Sequence, residues 1–145
     1  MSKLQEILED IAEYISQSYH NIRVYYDDSM MNPNISLPAI SFQTGEMKPD
    51  KQGGCDEYIK ELEIRLHTST LDKSALLQEL WDFEEQIIQL IRKGNREDTL
   101  TRHSIELQYI STLPIGALVY NPPDSDKEVF FSNLLRVVFQ LKYEL

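Results

Sequence analysis

The chain has 145 residues and a mass of 17.0 kDa, which is enough for one domain with a substantial hydrophobic core. Hydrophobic residues make up 41% of it and aromatic residues 10%, which excludes an intrinsically disordered protein. Fourteen Lys and Arg against 24 Asp and Glu give a net charge of -10, so phosphates and anionic lipids repel the chain. This charge argues against specific nucleic-acid binding and against membrane binding.

Cysteine usage and the start of the chain indicate where the protein resides. Cys55 is the only cysteine, so the chain can form neither an internal disulfide nor a cysteine-based metal site. The first residues lead directly into acidic positions, without the apolar stretch of a signal peptide. No segment reaches the roughly 18 apolar residues that span a bilayer. The sequence therefore predicts a protein that stays in the cytoplasm unless a larger assembly carries it elsewhere.

Two segments have the apolar spacing of amphipathic helices. The first begins at a capping box formed by Ser2 and Gln5. The second begins at Asp72, a good N-cap, and is predicted to stop at Gly94 as its C′ residue. The apolar stripe of the first helix is Leu4, Ile7, Leu8, Ile11 and Ile15. That of the second is Leu76, Leu80, Phe83, Ile87 and Leu90.

Alternating apolar and polar residues predict five strands. These cover residues 22–26, 39–44, 57–67, 104–109 and 129–145. A polar loop is expected from Asp28 to Pro38, and a mobile connector from Gly45 to Asp56. Proline interruptions from Thr112 to Lys127 indicate a protruding arm or a long hairpin.

These elements predict an α+β fold in one domain over residues 1–145, in the order α-β-β-β-α-β-β. Each helix is apolar on one side and most strands alternate, so we expect both helices on one face of the sheet. The first three strands are joined by loops, which favours a mixed, mainly antiparallel sheet. The connection through the second helix could supply one parallel pairing.

The sequence offers no motif for catalysis, a metal or a cofactor. Gly53-Gly54 is followed by Cys55-Asp56 rather than by Lys and Ser or Thr, so it predicts a turn and not a phosphate loop. Asp124 and Asp126 could hold a hard cation, but the other oxygen ligands of a calcium loop are missing. The three histidines lie on different predicted elements without metal-ligand spacing, namely His20, His67 and His103. We therefore predict no catalytic residue, no metal site and no cofactor.

The informative anomaly is a set of apolar residues on faces that should be solvated. One interpretation is a sheet that is partly covered on both faces, or single exposed apolar residues, which are common. The other is a subunit interface, because apolar patches edged with charge mark association sites. The sequence leaves both open. The candidate interface residues are Met30, Met31, Ile59, Trp81, Ile110, Tyr120, Phe130, Leu134 and Val138.

The order of elements resembles the tail terminator family of long-tailed bacteriophages and the related tail-completion proteins. The likeness spans nearly the whole chain and is one of pattern. The segments that carry it are the opening helix Leu4-Gln5-Glu6-Ile7-Leu8, the segment Leu37-Pro38-Ala39-Ile40-Ser41-Phe42, the charged strand from Tyr58 to Leu66, the helix from Asp72 to Lys93 and the closing strand from Val129 to Leu145.

This resemblance implies a structural protein of the virion tail, assembled in the host cytoplasm. Members of the family form a ring, usually a homo-hexamer, on the last layer of the tail tube protein. The ring stops tube polymerisation and presents a surface for the head–tail connector protein during head joining. An acidic lumen would let DNA slide through without specific binding, which agrees with the net charge of -10.

Three other functions remain open at this stage. A head–tail connector, or neck protein, would cap filled heads rather than tails. An acidic inhibitor that mimics DNA would need carboxylates at phosphate-like spacing along one face, whereas the acids here are scattered along the chain. A small enzyme or ligand-binding domain would need a pocket in which several titratable groups converge.

Overall fold

The computed structural model describes residues 2–19, 22–25, 39–51, 56–70, 73–120 and 130–145. For residues 68–70, 73–76, 114–120 and 130–134 it describes the backbone only. The predicted α+β fold and its order α-β-β-β-α-β-β are confirmed. In chain order, the elements are α1 (Lys3–Ser18), β1 (Arg23–Tyr25), β2 (Ala39–Pro49), β3 (Glu57–Thr70), α2 (Lys73–Glu97), β4 (Ile105–Tyr120) and β5 (Phe130–Glu144).

The five strands form one sheet in the order β1-β2-β3-β5-β4. All neighbouring strands are antiparallel except β1 and β2, which are parallel. The prediction of a parallel pairing through the second helix is wrong, because β5 inserts between β3 and β4, the two strands that α2 connects. The long β5 pairs with β3 along its whole length, from Glu57 opposite Glu144 to Thr70 opposite Phe131.

Both helices pack on one face of this sheet. The Ser2 hydroxyl accepts a hydrogen bond from the Gln5 backbone N–H at 3.1 Å, so the predicted cap of α1 is present. Ile40 and Phe42 face inward as the alternation predicted. Side chains from both helices and from β2 to β5 form one buried cluster that includes Ile7, Ile11, Ile15, Phe42, Leu62, Ile64, Phe83, Ile87, Val137 and Phe139.

The connector predicted from Gly45 to Asp56 begins as strand, whereas the segment from Thr112, predicted as an arm or long hairpin, is extended and paired with β5 as far as Tyr120. β2 continues through the start of the Gly45–Asp56 segment as far as Pro49, with a bulge between Thr44 and Met47. β4 continues through Pro114 to Tyr120, with bulges on both sides of that proline. β4 lies at the edge of the sheet, where a residue without an N–H costs no hydrogen bond to a further strand.

The second helix also runs further than predicted, because Gly94 lies inside it rather than at its end. The C′ position belongs to Asp98, whose φ is 57°. The N–H of Thr99 donates to the Gly94 carbonyl at 3.0 Å and that of Asp98 to the Asn95 carbonyl at 3.3 Å, the two bonds of a Schellman motif. Gly94 is required for space: a Cβ there would lie 2.5 Å from Leu100 Cδ2.

We expect Gly94→Ala to destabilise the protein by about 1–2 kcal/mol, because overpacking against Leu100 and Tyr14 exceeds the helical preference of alanine. Urea denaturation at pH 7 measures the difference. Lys93→Ala, at an exposed position of the same turn, is the control and should change stability by less than about 0.5 kcal/mol. A Gly94→Ala variant as stable as the wild type would show that the close approach of Leu100 is not required.

A carboxylate joins α1 to the segment before β4. Asp10 Oδ2 accepts hydrogen bonds from Thr101 Oγ1 at 2.9 Å and from the backbone N–H and Nε of Arg102, both at 3.1 Å. Burial raises the pKa of Asp10, but the hydrogen bonds from Arg102 and Thr101 outweigh it and hold that pKa below its usual value. A folded pKa below the unfolded one means that the ionised carboxylate stabilises the fold.

The stabilising effect of Asp10 is therefore complete above its unfolded pKa of about 3.9 and is lost as the pH falls through the lower folded pKa. At pH 7 we expect Asp10→Asn to cost about 1 kcal/mol, and the gap to the wild type should narrow below about pH 4. Denaturation of both proteins from pH 7 to pH 2.5 measures the gap. Glu13→Gln, at an exposed position of α1, should show little difference at either pH. A gap that is constant with pH would contradict the assigned role.

Candidate functional site on the outer face of the sheet

The sheet face opposite the helices is called here the outer face. Directly opposed residues of antiparallel strands share a face, so the register of β3 and β5 defines it. Its central pairs are Ile59 with Lys142, Glu61 with Gln140, Glu63 with Val138 and Arg65 with Arg136. In the part of the chain that the structure describes, α1 and α2 bury their side chains in the cluster on the other face. No described helix covers the outer face.

A groove with a volume of about 410 Å³ lies on the outer face. Its apolar lining includes Ile59, Ile110 and Val138, three of the residues predicted to form an interface. Val138 is only 5% exposed and forms the floor, whereas Ile110 is 51% exposed. The charged and polar side chains along the groove are Glu46, Lys48, Glu61 and Gln140.

A bulge in β4 explains why Ile110 is so exposed. Tyr109 pairs with Phe139 and Ser111 pairs with Val138, so Ile110 is an extra residue without a partner in the ladder. An extra residue at a bulge is displaced from the regular alternation and redirects its side chain. The bulge therefore brings an apolar side chain to the groove from the edge strand.

An ion cluster adjoins the groove. Glu63 is buried on the outer face, and its Oε2 accepts from Arg65 Nε at 2.9 Å and lies 2.9 Å from Arg65 Nη2. Its Oε1 lies 3.9 Å from Arg136 Nη1. Arg65 and Arg136 are directly opposed across β3 and β5, so one carboxylate separates two guanidinium groups. Glu63 thus lies between arginines of two neighbouring strands, in a chain that is strongly acidic overall.

The second helix carries a separate apolar feature on the flank of its buried stripe. Trp81 is 59% exposed and Leu77, one turn earlier, is 38% exposed. The same side continues at intervals of three or four residues, which is the repeat of one helical face. We call this the helix stripe; it consists of Leu77, Trp81, Glu85, Ile88, Arg92 and Arg96. Because α2 lies on the core face of the sheet, the helix stripe and the outer face lie on opposite sides of the molecule.

The side chains of the other five predicted interface residues are not described by the structure. Met30 and Met31 lie outside the described residues. Tyr120, Phe130 and Leu134 belong to β4 and β5, where only the backbone is described: Tyr120 pairs with Phe130, and Leu134 pairs with His67. Of the nine predicted residues, the structure thus brings three together in the groove and places Trp81 on the opposite side.

The two histidines in the described ranges, His67 and His103, lie in separate places. The His103 Nε2 lies 3.0 Å from Glu6 Oε2, between α1 and the segment before β4. The His67 Nε2 lies 2.8 Å from the Ser41 hydroxyl on the outer face. His20, Cys55 and the Asp124–Asp126 segment lie outside the described residues. Within the described ranges, no group of three or more His, Cys, Asp or Glu side chains is arranged to hold a metal ion.

Sequence reasoning missed the ion cluster. Glu63 and Arg65 are two residues apart on a strand, a spacing that places both on one face and could have been noticed. The contribution of Arg136 depends on the register between β3 and β5, which no local pattern specifies.

Comparison with known proteins adds no relative: no protein-family model and no curated protein matches the chain. None of the helices in the described ranges combines the length and the apolar character needed to cross a membrane.

Glu63→Gln should destabilise the fold by about 2 kcal/mol, because it leaves Arg65 and Arg136 facing each other across adjacent strands without a carboxylate between them. Urea denaturation at pH 7 and low salt measures the loss. The matched control is Glu61→Gln, two residues away on the same face and exposed, which should cost less than about 0.5 kcal/mol. Equal losses in the two variants would contradict the central role of Glu63.

Proposed function

We propose that this protein is a ring-forming structural subunit of a long-tailed bacteriophage tail. The ring seats on the end of the tail tube, stops its polymerisation and provides the surface for head joining. Its partners are other copies of itself, the tail tube protein and the head–tail connector protein. It acts without catalysis and without a cofactor.

The observation that carries the proposal is the presence of two apolar surfaces on opposite sides of one small domain. The groove on the outer face and the helix stripe around Trp81 both expose apolar side chains among charged ones. A closed ring requires a heterologous contact, in which two different patches of the subunit meet. A domain with a single such patch would form a two-fold dimer and stop.

The fold supplies further support for a tail terminator. The order of two helices and five strands is the pattern on which the resemblance to that family rests. A net charge of -10 is suited to a conduit, since an acidic bore repels the DNA that must pass through it. Six copies of a 17.0 kDa chain would make a particle of about 102 kDa.

Electron microscopy of tails assembled with and without this protein tests the proposal. We expect tubes of uncontrolled length in its absence, and tubes of uniform length carrying a terminal ring in its presence. Ile110→Arg, which places a charge in the groove, should give the long-tube phenotype because the ring cannot form. The control is Leu145→Arg, at an exposed residue next to the chain end, which should leave tube length unchanged.

Two outcomes would overturn this function. Tubes of normal length that fail to join heads would identify a head–tail connector instead. Tails and heads that assemble normally without the protein would exclude both structural roles.

A further inference from the structure

We propose that the groove on the outer face receives Trp81 from α2 of a second copy of this chain, in a head-to-tail contact. The inference rests on the proposed self-association and names the two surfaces that meet. Three observations carry it: the apolar character of both surfaces, the matching spacing along helix and sheet, and a local charge complementarity.

The helix stripe and the groove both expose apolar side chains. Trp81 is the only tryptophan of the chain and is 59% exposed, with Leu77 beside it on the helix stripe. A buried aromatic side chain removes about 150–250 Å² from water and is the type of residue that anchors interfaces. The groove offers an apolar floor at Val138 and apolar walls at Ile59 and Ile110, in a volume of about 410 Å³ that accommodates an indole ring.

The spacing places a carboxylate over the ion cluster. On the helix, Trp81 and Glu85 are four residues apart, which is about 6 Å along the axis. On the sheet, Val138 and Arg136 are two residues apart, which is about 7 Å along β5. With Trp81 over Val138 and the helix antiparallel to β5, Glu85 of one copy therefore comes over Arg136 of the other.

The ion cluster is suited to a further carboxylate. Arg65 holds Glu63 Oε2 at 2.9 Å, so Arg136 faces only the other oxygen of that carboxylate. The Arg136 side chain is 30% exposed, and its contact with Glu63 is long, at 3.9 Å. Glu85 is exposed on α2 and would give Arg136 a second carboxylate partner.

Trp81 is also the natural reporter of the contact. As the wild-type chain is concentrated, we expect its mass in sedimentation equilibrium to rise above 17.0 kDa while tryptophan emission shifts to shorter wavelength. Trp81→Ala should weaken association about 30-fold or more, the range of an interface hot spot. Leu145→Ala, which shortens another exposed apolar side chain, should leave association unchanged.

A mixing experiment distinguishes this contact from a symmetric one. Trp81→Ala has an intact groove and no tryptophan, whereas Ile110→Arg has an intact helix stripe and a blocked groove. Each variant alone should remain a monomer. Together they should form a one-to-one dimer that cannot extend, and titration of Trp81→Ala into Ile110→Arg should shift the emission of the single tryptophan present.

The charge component is tested by a matched pair of exposed acids on α2. Glu85→Gln should weaken association a few-fold, as expected for a partly exposed ion pair, while Glu97→Gln at the end of the helix should not. Equal effects of the two variants would overturn the assigned register.

Several outcomes would overturn the contact itself: a wild-type chain that stays at 17.0 kDa up to millimolar concentration, a Trp81→Ala variant that associates normally, or a mixture without an emission shift. These failures are separable from that of the proposed function. If tail length depends on the protein but not on Trp81, the function stands and the contact falls. If the contact forms but tails never need the protein, the contact stands and the function falls.

Discussion

A sheet has two faces, and the helices among the described residues cover only one of them. The core face is closed by α1 and α2, whose buried side chains pack with those of β2 to β5. Val138 and Glu63 are nearly inaccessible on the outer face, and Glu63 is in contact with the long side chains of Arg65 and Arg136. The outer face is therefore less exposed to water than an ordinary surface but more exposed than a core. Covering it fully would cost less desolvation free energy than covering an ordinary polar surface.

Charge distribution matters as much as apolar area in this molecule. A subunit with a net charge of -10 is repelled by other copies of itself at long range. The proposed contact between copies needs a place where the local charge departs from that average, and the opposed arginines of β3 and β5 are one such place among the described residues. The exposed acids of α2, such as Asp82 and Glu85, provide the opposite sign on the other side of the subunit.

Helices, strands and most of the core followed from the sequence, because apolar periodicity reports local conformation and burial together. Features that depend on contacts between residues distant in sequence could not be predicted in this way. Gly94 looked like a helix stop, and only the proximity of Leu100 and Tyr14 shows why a glycine belongs inside the helix.

The same distinction between local pattern and distant contacts applies to the candidate site. Ile59 and Val138 were identifiable from alternation, and Trp81 from its position beside the main helical stripe. The groove that unites the first two with Ile110 depends on a bulge in β4, and the partnership of Arg136 with Glu63 depends on strand register. Neither is encoded in a short segment of sequence.

The two borders of the sheet have a consequence for how copies can assemble. On one border, β1 has only three residues, and on the other, β4 contains Pro114 between two irregularities. Shortness, proline and bulges each prevent a border from templating a strand of another molecule. Cross-β growth has no built-in limit, and these features of the two edge strands oppose it. If copies associate as proposed, edge strands of this kind leave the contact to side-chain surfaces, where the geometry of the contact can fix the number of subunits.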